Sequence, residues 1–263
     1  MRIGTNLGYR FYARIICRSS TTATGSSARI GQTVAPRRRA GRHGRGGFVK
    51  PYRVTLIHPC VGRQPGQSYI RTWQMEPLPA ASIAGLTPRD VEVRFYDDRM
   101  EAIPFDEPTD LVAISVETYT AKRAYQIASE YRRRRVPVVM GGFHATLCPD
   151  EVARYAEAVV IGEAEALWPR VIDDARHGRT REILPCRRTG PRSRSSAPTA
   201  PIFRGKRYLP IGLVEAGRGC HFKCEFCAVQ SDVRRTPRPG GRSTEILAEL
   251  RAAQGPEAYL LLR

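Results

Sequence analysis

Short apolar runs alternate with amphipathic segments from residue 52 onward. Five of these runs are rich in β-branched residues and predict strands at 54–57, 91–96, 111–116, 136–140 and 159–161. Between the third and fourth strands, apolar residues at helical spacing predict a helix over 120–135, whose terminal arginine run suits the helix dipole. Further helices are predicted over 150–155 and 165–177. Nearly continuous apolar strands that alternate with helices favour an α/β fold built on a doubly wound, Rossmann-like parallel sheet.

Small and hydroxyl-bearing residues follow the predicted strands, at the end where doubly wound sheets bind ligands. Ser115 and Thr118 follow the third strand, Gly141 and Gly142 follow the fourth, and Gly162 follows the fifth. Paired glycines allow a ligand to approach the backbone closely, and hydroxyl groups offer hydrogen bonds. A tight turn alone also explains the glycine pair, so both interpretations stay open at this point.

Positive charge is concentrated at the start of the chain. The 263 residues include 43 Lys or Arg and 25 Asp or Glu, which gives a net charge of +18. Residues 1–75 contain 14 of the basic residues and none of the acidic ones, whereas residues 76–263 contain 29 basic and 25 acidic residues. A charge of +18 ordinarily suggests nucleic acid as a partner. Because the body of the protein is nearly balanced, we do not expect that partner here.

Composition divides the chain into four segments. Residues 1–50 are rich in Arg, Ser, Thr and Gly, which predicts a disordered basic extension. This extension is a transit peptide, a basic arm for nucleic acid or, as we favour, the product of an upstream translation start. Residues 51–184 form the predicted α/β domain, and residues 185–210 form a linker rich in proline, glycine and arginine. Residues 211–263 begin a second domain.

Cysteine use and hydropathy predict the compartment. The chain has seven cysteines and no secretory signal, which indicates a reducing environment rather than a disulfide framework. No apolar run approaches the roughly 20 residues of a membrane span. We therefore expect a soluble, cytoplasmic protein without a membrane-spanning segment.

Three of the cysteines lie close together after a predicted strand at 211–214. Cys220, Cys224 and Cys227 are separated by three and then two residues. A structural zinc site normally takes four protein ligands, whereas a [4Fe-4S] cube held by three thiolates keeps one iron open. Phe226, next to the last cysteine, can shield such a cluster from water. The alternatives are zinc bound together with His221, or a loop that merely packs.

This spacing, with an aromatic residue before the third cysteine and a strand before the loop, resembles the cluster loop of the radical S-adenosylmethionine (SAM) enzymes. The resemblance implies that Cys220, Cys224 and Cys227 bind a [4Fe-4S] cluster, and that the open iron binds SAM. In that family, an electron from the cluster cleaves SAM to a 5′-deoxyadenosyl radical. The predicted strand at 211–214, a helix capped by Ser243 and a strand at 258–262 are similar to the start of the family's partial β/α barrel. We therefore expect a truncated piece of a longer enzyme.

The order of the domains narrows the resemblance. A doubly wound domain with a Gly-Gly strand end, followed by a linker and the cysteine loop, resembles the cobalamin-binding radical SAM proteins, among them methyltransferases that act on unactivated carbons. The resemblance implies cobalamin as a further cofactor, with contacts from Ser115, Thr118, Gly141, Gly142 and Gly162. It also implies a small-molecule or lipid-like substrate and an electron donor such as a flavodoxin or ferredoxin.

One departure concerns the cobalt ligand. Cobalamin mutases and methionine synthase have the motif Asp-x-His-x-x-Gly after the first strand. Here the corresponding turn begins at His58 and runs to Gly62, without the Asp and with the Gly displaced. We therefore expect no protein histidine on cobalt, and His58 is then a turn or core residue.

Two other functions stay open. Radical SAM methylthiotransferases that modify tRNA also join an α/β domain to this cysteine spacing, and they would need a second cluster, for which Cys60, Cys148 and Cys186 are available. Alternatively, the chain is a basic protein that binds zinc or nucleic acid and has no enzymatic activity.

Overall fold

The computed structural model describes most of residues 51–179 and several shorter segments after them. The described residues are 51–62, 67–69, 74–179, 182–185, 201–209, 211–215, 217–218, 224–227, 238–239 and 258–262. The predicted basic extension, Cys220 and the predicted helix after Ser243 lie outside these ranges.

The principal element is a parallel sheet of six strands. These strands are β1 (Tyr52–His58), β2 (Val91–Asp97), β3 (Leu111–Ser115), β4 (Val138–Gly141), β5 (Ala158–Ile161) and β6 (Glu182–Pro185). Their spatial order is β2-β1-β3-β4-β5-β6, and each neighbouring pair is parallel. This is the flavodoxin-like order, in which the chain reverses direction across the sheet between β1 and β3. The predicted doubly wound parallel α/β fold is confirmed.

Helices pack on both faces of the sheet and form a separate hydrophobic core on each face. The described helices are α1 (Leu78–Leu86), α2 (Ala121–Arg133), α3 (Phe143–Leu147), α4 (Pro149–Val152) and α5 (Trp168–Arg176). One core joins α2, α3 and α4 to side chains such as Ile114 and Met140 of the sheet. The other joins α1 and α5 to side chains such as Leu56 and Val139. Adjacent strand residues such as Val139 and Met140 enter opposite cores because side chains alternate along a strand, which explains why these strands are apolar almost throughout.

The structure also contains elements that the sequence pattern did not predict. Helix α1 has the sequence LPAASIAGL, which offers small and apolar residues on every side and therefore no amphipathic period. Strand β6 is only four residues long and ends in proline. The turn after β4 forms the short helix α3, and the helix predicted over 150–155 is the single turn α4. No described helix is long and apolar enough to cross a membrane.

The segment 201–209, inside the predicted linker, packs against the sheet. Phe203 is 6% exposed, and its ring lies edge-on to the ring of Phe95 in β2, with 5.4 Å between the centroids. The Tyr208 hydroxyl donates a hydrogen bond of 2.8 Å to Oδ2 of Asp97, and Lys206 forms an ion pair with Glu101. This segment therefore covers β2, the edge strand of the sheet.

Two short strand pairs join residues that precede the cysteine loop to residues that follow it. Strand β7 (Ile211–Glu215), which confirms the strand predicted at 211–214, pairs in parallel with β10 (Ala258–Leu262). Strands β8 (Gly217–Arg218) and β9 (Arg238–Pro239) pair antiparallel. Part of the segment 234–242, which is rich in proline, arginine and glycine, returns to pair beside the start of the cysteine loop. A parallel pair separated by more than 40 residues is consistent with the start of a β/α barrel.

Candidate functional site

The carboxyl ends of β1 and β3 define the expected ligand site. Helices leave the sheet toward opposite faces at this switch point, and the crevice between them is where open α/β sheets bind ligands. The sequence-predicted ligand contacts in the α/β domain are the last residues of β3 and β4 or lie shortly after β3, β4 and β5. Ser115 is the last residue of β3, and Thr118 is exposed in the short 3-10 turn that follows.

Position 142, a predicted ligand contact, must be glycine because of how the loops after β3 and β4 pack on each other. Its φ is +103°, a conformation that favours glycine. A Cβ added there would lie 2.8 Å from the carbonyl oxygen of Val116 and 3.3 Å from Oγ of Ser115. The loop is held in this position because Val116 N–H donates to the Gly141 carbonyl, and His144 N–H donates to the Val116 carbonyl. Gly142 therefore brings the β4 loop against the β3 loop, and this contact is itself a reason for glycine at position 142.

Thr146 connects the β4 loop to the β5 loop. Its hydroxyl donates to the Gly142 carbonyl at 2.9 Å and accepts from the Gly162 N–H at 2.9 Å. Gly162 has a φ of +81°. Sequence reasoning did not assign a role to Thr146, because Gly162 is 16 residues away, after β5, and meets Thr146 only in the folded sheet.

A buried ion pair lies beside the switch point. Asp98 is 1% exposed and accepts two hydrogen bonds of 2.8 Å from Arg123 of α2. It also accepts the backbone N–H of Cys60 at 3.2 Å. Burial alone would raise the pKa of Asp98, but the hydrogen bonds from Arg123 and Cys60 outweigh burial, so the pKa lies below its usual value. Asp98 is thus charged at neutral pH and fixes the loop after β1 to helix α2.

A second buried carboxylate, that of Asp97, lies opposite His58 on the neighbouring strand. Asp97 is fully buried, accepts hydrogen bonds from Arg99 and Tyr208, and lies opposite His58 across the β1–β2 pair. Burial, followed by the positive charge of Arg99, lowers the pKa of His58 to about 4. His58 is therefore neutral at neutral pH. The sequence offered no signal for this network, because Asp97 is 39 residues from His58 in the chain.

Exposed apolar side chains surround the same edge of the sheet. Among the described residues, five large apolar side chains are exposed, and four of them lie in loops at this edge. Val61 (65%) follows β1, Tyr119 (67%) follows β3 and Phe143 (36%) follows β4. Met75 (42%) is held near the end of β2, where its carbonyl accepts a hydrogen bond from Arg99. We call these four residues the apolar rim. Apolar residues concentrated at one edge indicate a binding surface rather than scattered exposure.

The described part of the cysteine loop is a tight turn. Cys227 N–H donates to the Cys224 carbonyl at 3.1 Å, so the two thiols lie on one turn of backbone. Both cysteines are free of disulfide bonds, and Cys224 is exposed. Phe226 is 92% exposed, so its side chain is available to cover a group bound at the loop. Cys220, the third predicted ligand, lies outside the described residues.

Of the cysteines considered for a second cluster, Cys60 and Cys148 have separate surroundings. Cys60 is buried in the β1 loop beside Asp98. Cys148 joins a group formed with His144 and Glu151, which does not include Cys60. Cys186 lies outside the described residues.

Comparison with known proteins finds a family match in the part of the chain that contains most of this site. Residues 74–172 match the family model described as the B12 binding domain. The match runs from the segment before α1 to α5, and so covers β2 to β5 and the loops that form most of the rim. The residues that match this family therefore have an α/β fold of flavodoxin-like strand order.

Several relatives are named as methyltransferases. Bacteriochlorophyllide d C-8(2)-methyltransferase of Chlorobaculum tepidum is 33% identical over 155 residues, which are 55% of this chain and 34% of the relative. Bacteriochlorophyllide d C-12(1)-methyltransferase of the same organism is 28% identical over 190 residues, 68% of this chain and 40% of the relative. Hopanoid C-2 methylase of Rhodopseudomonas palustris is 24% identical over 169 residues, 62% of this chain and 32% of the relative. The chain thus spans about a third to two fifths of the length of these relatives.

Proposed function

We propose that this chain forms the cobalamin-binding domain and the start of the radical SAM domain of a methyltransferase. The main support is that the region that matches the B12 binding domain provides most of the apolar rim, at the carboxyl edge of its sheet. The names of the relatives support methyl transfer. Fold alone does not identify a reaction, so the radical SAM assignment depends on the three-cysteine loop.

The residues at the switch point are compatible with cobalamin. The corrin macrocycle carries methyl groups, which suit contact with Val61, Tyr119 and Phe143, and peripheral amide groups, which suit polar contacts. The Ser115 and Thr118 hydroxyls offer polar contacts at the same edge. Because the space beside Gly142 is filled by the backbone of Val116, we expect the ligand to contact the surface of the paired β3 and β4 loops and not to enter between them.

The cysteine loop is compatible with an iron–sulfur cluster. Cys224 and Cys227 offer thiols on one turn, and Cys220 would provide the third ligand. Three thiolates leave one iron of a [4Fe-4S] cube available to SAM. When bound, cobalamin would supply the methyl group and the cluster with SAM would supply the radical. The residues of this chain would hold these groups in place and exclude water from them.

The substrate and the electron donor follow by analogy. The names of three relatives refer to a bacteriochlorophyllide and a hopanoid. We therefore propose a small-molecule or lipid-like substrate, together with a donor such as a flavodoxin or ferredoxin that reduces the cluster.

Anaerobic reconstitution tests the proposal. The full chain is incubated with iron, sulfide and hydroxocobalamin, and both cofactors are quantified after desalting. We expect about four irons and one corrinoid per chain. Cys224→Ala and Cys227→Ala should lose the iron but retain the corrinoid. About eight irons without corrin absorbance would favour the methylthiotransferase, and zinc in place of iron would contradict the radical SAM assignment.

The apolar rim provides a separate test of cobalamin binding. Tyr119→Ser and Phe143→Ser change exposed side chains and should leave folding intact. Each should weaken hydroxocobalamin binding by about tenfold, the equivalent of roughly 55 Å² of buried apolar surface. Phe226→Ser, an exposed aromatic residue in the cysteine loop, is the matched control and should bind normally. Equal affinity in all three variants would place the corrin elsewhere.

A further inference from the structure

A group of three metal-binding side chains lies where helices α3 and α4 meet. His144, Cys148 and Glu151 each direct one ligand atom into the same space, and these atoms lie within 4.8 Å of one another. Cys148 lies between the two helices, with His144 in α3 and Glu151 in α4. Among the described residues, this is the one such trio of His, Cys, Asp or Glu side chains.

The hydrogen bonds of His144 are incomplete. His144 is 7% exposed, its Nε2 lies 3.0 Å from the Tyr125 hydroxyl, and its Nδ1 is buried without a partner in the described structure. The Tyr125 hydroxyl has a single hydrogen, and it donates that hydrogen to Oε1 of Glu151 at 2.9 Å. The hydroxyl then accepts from Nε2–H, which leaves Nδ1 as a bare lone pair. A buried acceptor without a partner is unfavourable for the folded state, and a bound cation would supply the missing partner.

The chemistry and spacing of these donors suit a zinc-like ion. Imidazole nitrogen, thiolate sulfur and carboxylate oxygen are the three ligand types that zinc takes in proteins. Bonds of about 2.0 to 2.3 Å in a tetrahedron separate neighbouring ligand atoms by roughly 3.3 to 3.7 Å. The three ligand atoms lie within 4.8 Å of one another, so modest side-chain rotations reach this spacing. The Glu151 side chain is 47% exposed, which provides access from solvent.

We propose that His144, Cys148 and Glu151 bind one divalent transition-metal ion of the zinc type, at a site distinct from the cysteine loop. Binding releases the thiol proton of Cys148 to solvent, and the imidazole binds through Nδ1, whose lone pair has no partner in the described structure. Tyr125 acts as a positioning residue because it contacts both His144 and Glu151. The ion would join α3 to α4 directly behind the β4 loop, and so would stabilise the segment that supports the carboxyl edge of the sheet.

Metal binding is measured on the full chain with Cys220, Cys224 and Cys227 replaced by Ser, so that the cysteine loop cannot compete. After incubation with Zn²⁺ and dialysis, we expect one zinc per chain. With Co²⁺ we expect tetrahedral d–d bands and a thiolate-to-cobalt charge-transfer band. Cys148→Ser should remove the charge-transfer band, and His144→Ala should lose the metal. Tyr125→Phe should weaken binding by roughly 10 to 100-fold.

Matched controls distinguish the site from adventitious binding. Cys60→Ser and His177→Ala alter a cysteine and a histidine outside the trio and should retain the metal and the charge-transfer band. If His144→Ala does not fold, Glu151→Gln replaces a half-exposed side chain with one of the same shape and should weaken binding by at least tenfold. Zinc should raise the melting temperature of the background chain but not that of Cys148→Ser. Absence of zinc, or equal zinc content in the trio variants and the controls, would overturn the proposal.

Discussion

Two separate structural features require glycine at position 142. Its φ of +103° disfavours any side chain, and the backbone of Val116 occupies the space that a Cβ would need. Gly178, at the end of α5, has a φ of +67° but nothing within 4 Å of the added Cβ. The two glycines therefore separate the effect of backbone conformation from the effect of close packing.

Alanine substitutions at these positions should have different effects on the free energy of unfolding. Gly178→Ala should lower it by about 1 to 2 kcal/mol through backbone conformation alone. Gly142→Ala should lower it by roughly 1 to 3 kcal/mol more, because the β3 and β4 loops must separate. Urea unfolding at equilibrium measures both values. Equal losses would mean that the loop contact at Val116 does not contribute to stability.

His58 should make stability depend on pH in a defined window. Its pKa falls from 6.5 to about 4 on folding, so the unfolded chain binds more protons between these values. Its contribution is complete above pH 6.5 and is lost as the pH falls toward 4, with an upper limit of about 3 kcal/mol. His58→Gln should flatten the stability profile in this window. Asp97 and Asp98 have lowered pKa values, so their contributions are lost only at lower pH.

The profile of His58→Gln is compared with that of the unsubstituted chain over the same pH range. A steep slope that persists in His58→Gln would assign the pH dependence to other groups.

At the scale of elements, the segment 201–209 is part of the folded domain. Phe203 packs on Phe95, and Tyr208 donates a hydrogen bond to the buried Asp97. Tyr208→Phe should lower the free energy of unfolding by about 1 to 3 kcal/mol, because it leaves a buried carboxylate with one donor fewer. Tyr119→Phe, which removes an exposed hydroxyl, should change it by less than about 0.5 kcal/mol. Similar small effects of both substitutions would indicate that this segment does not support β2.

The elements that sequence reasoning predicted are those with strong local patterns. The five predicted strands and the long amphipathic helix α2 were found because their apolar residues repeat with a clear period. Helix α1 and strand β6 were missed because their residues show no such period. The pairing of β8 with β9 was also missed, because it joins residues about 20 positions apart through a segment without periodicity.

At the scale of the whole molecule, most of the net charge lies outside the domain that we propose to bind cobalamin. Residues 1–75 hold 14 basic residues and no acidic one. Removal of residues 1–50 should therefore leave corrinoid retention and the free energy of unfolding unchanged. It should also remove most of the salt-sensitive affinity for DNA or RNA, since such binding depends on phosphate contacts by Lys and Arg. Filter binding at two salt concentrations and corrinoid content check the two expectations.

A different result would favour another function. If the shortened chain lost specific binding to one nucleic acid, and if replacement of the three clustered cysteines changed nothing, the protein would be a nucleic-acid-binding protein.

The sequence by itself determined the parallel α/β class, the places where the strands end, and the cysteine loop as the candidate for a cluster. These features depend on residues that are neighbours in the chain, so their periods and spacings are visible without the fold. Only the tertiary structure decided the strand order, the packing of Gly142 on Val116, and the bridge that Thr146 makes to Gly162. It also brought Asp97 beside His58 and grouped Tyr125 with His144 and Glu151. Each of these contacts joins residues whose distance is set by the pairing of strands and the packing of helices, and no local pattern specifies those distances.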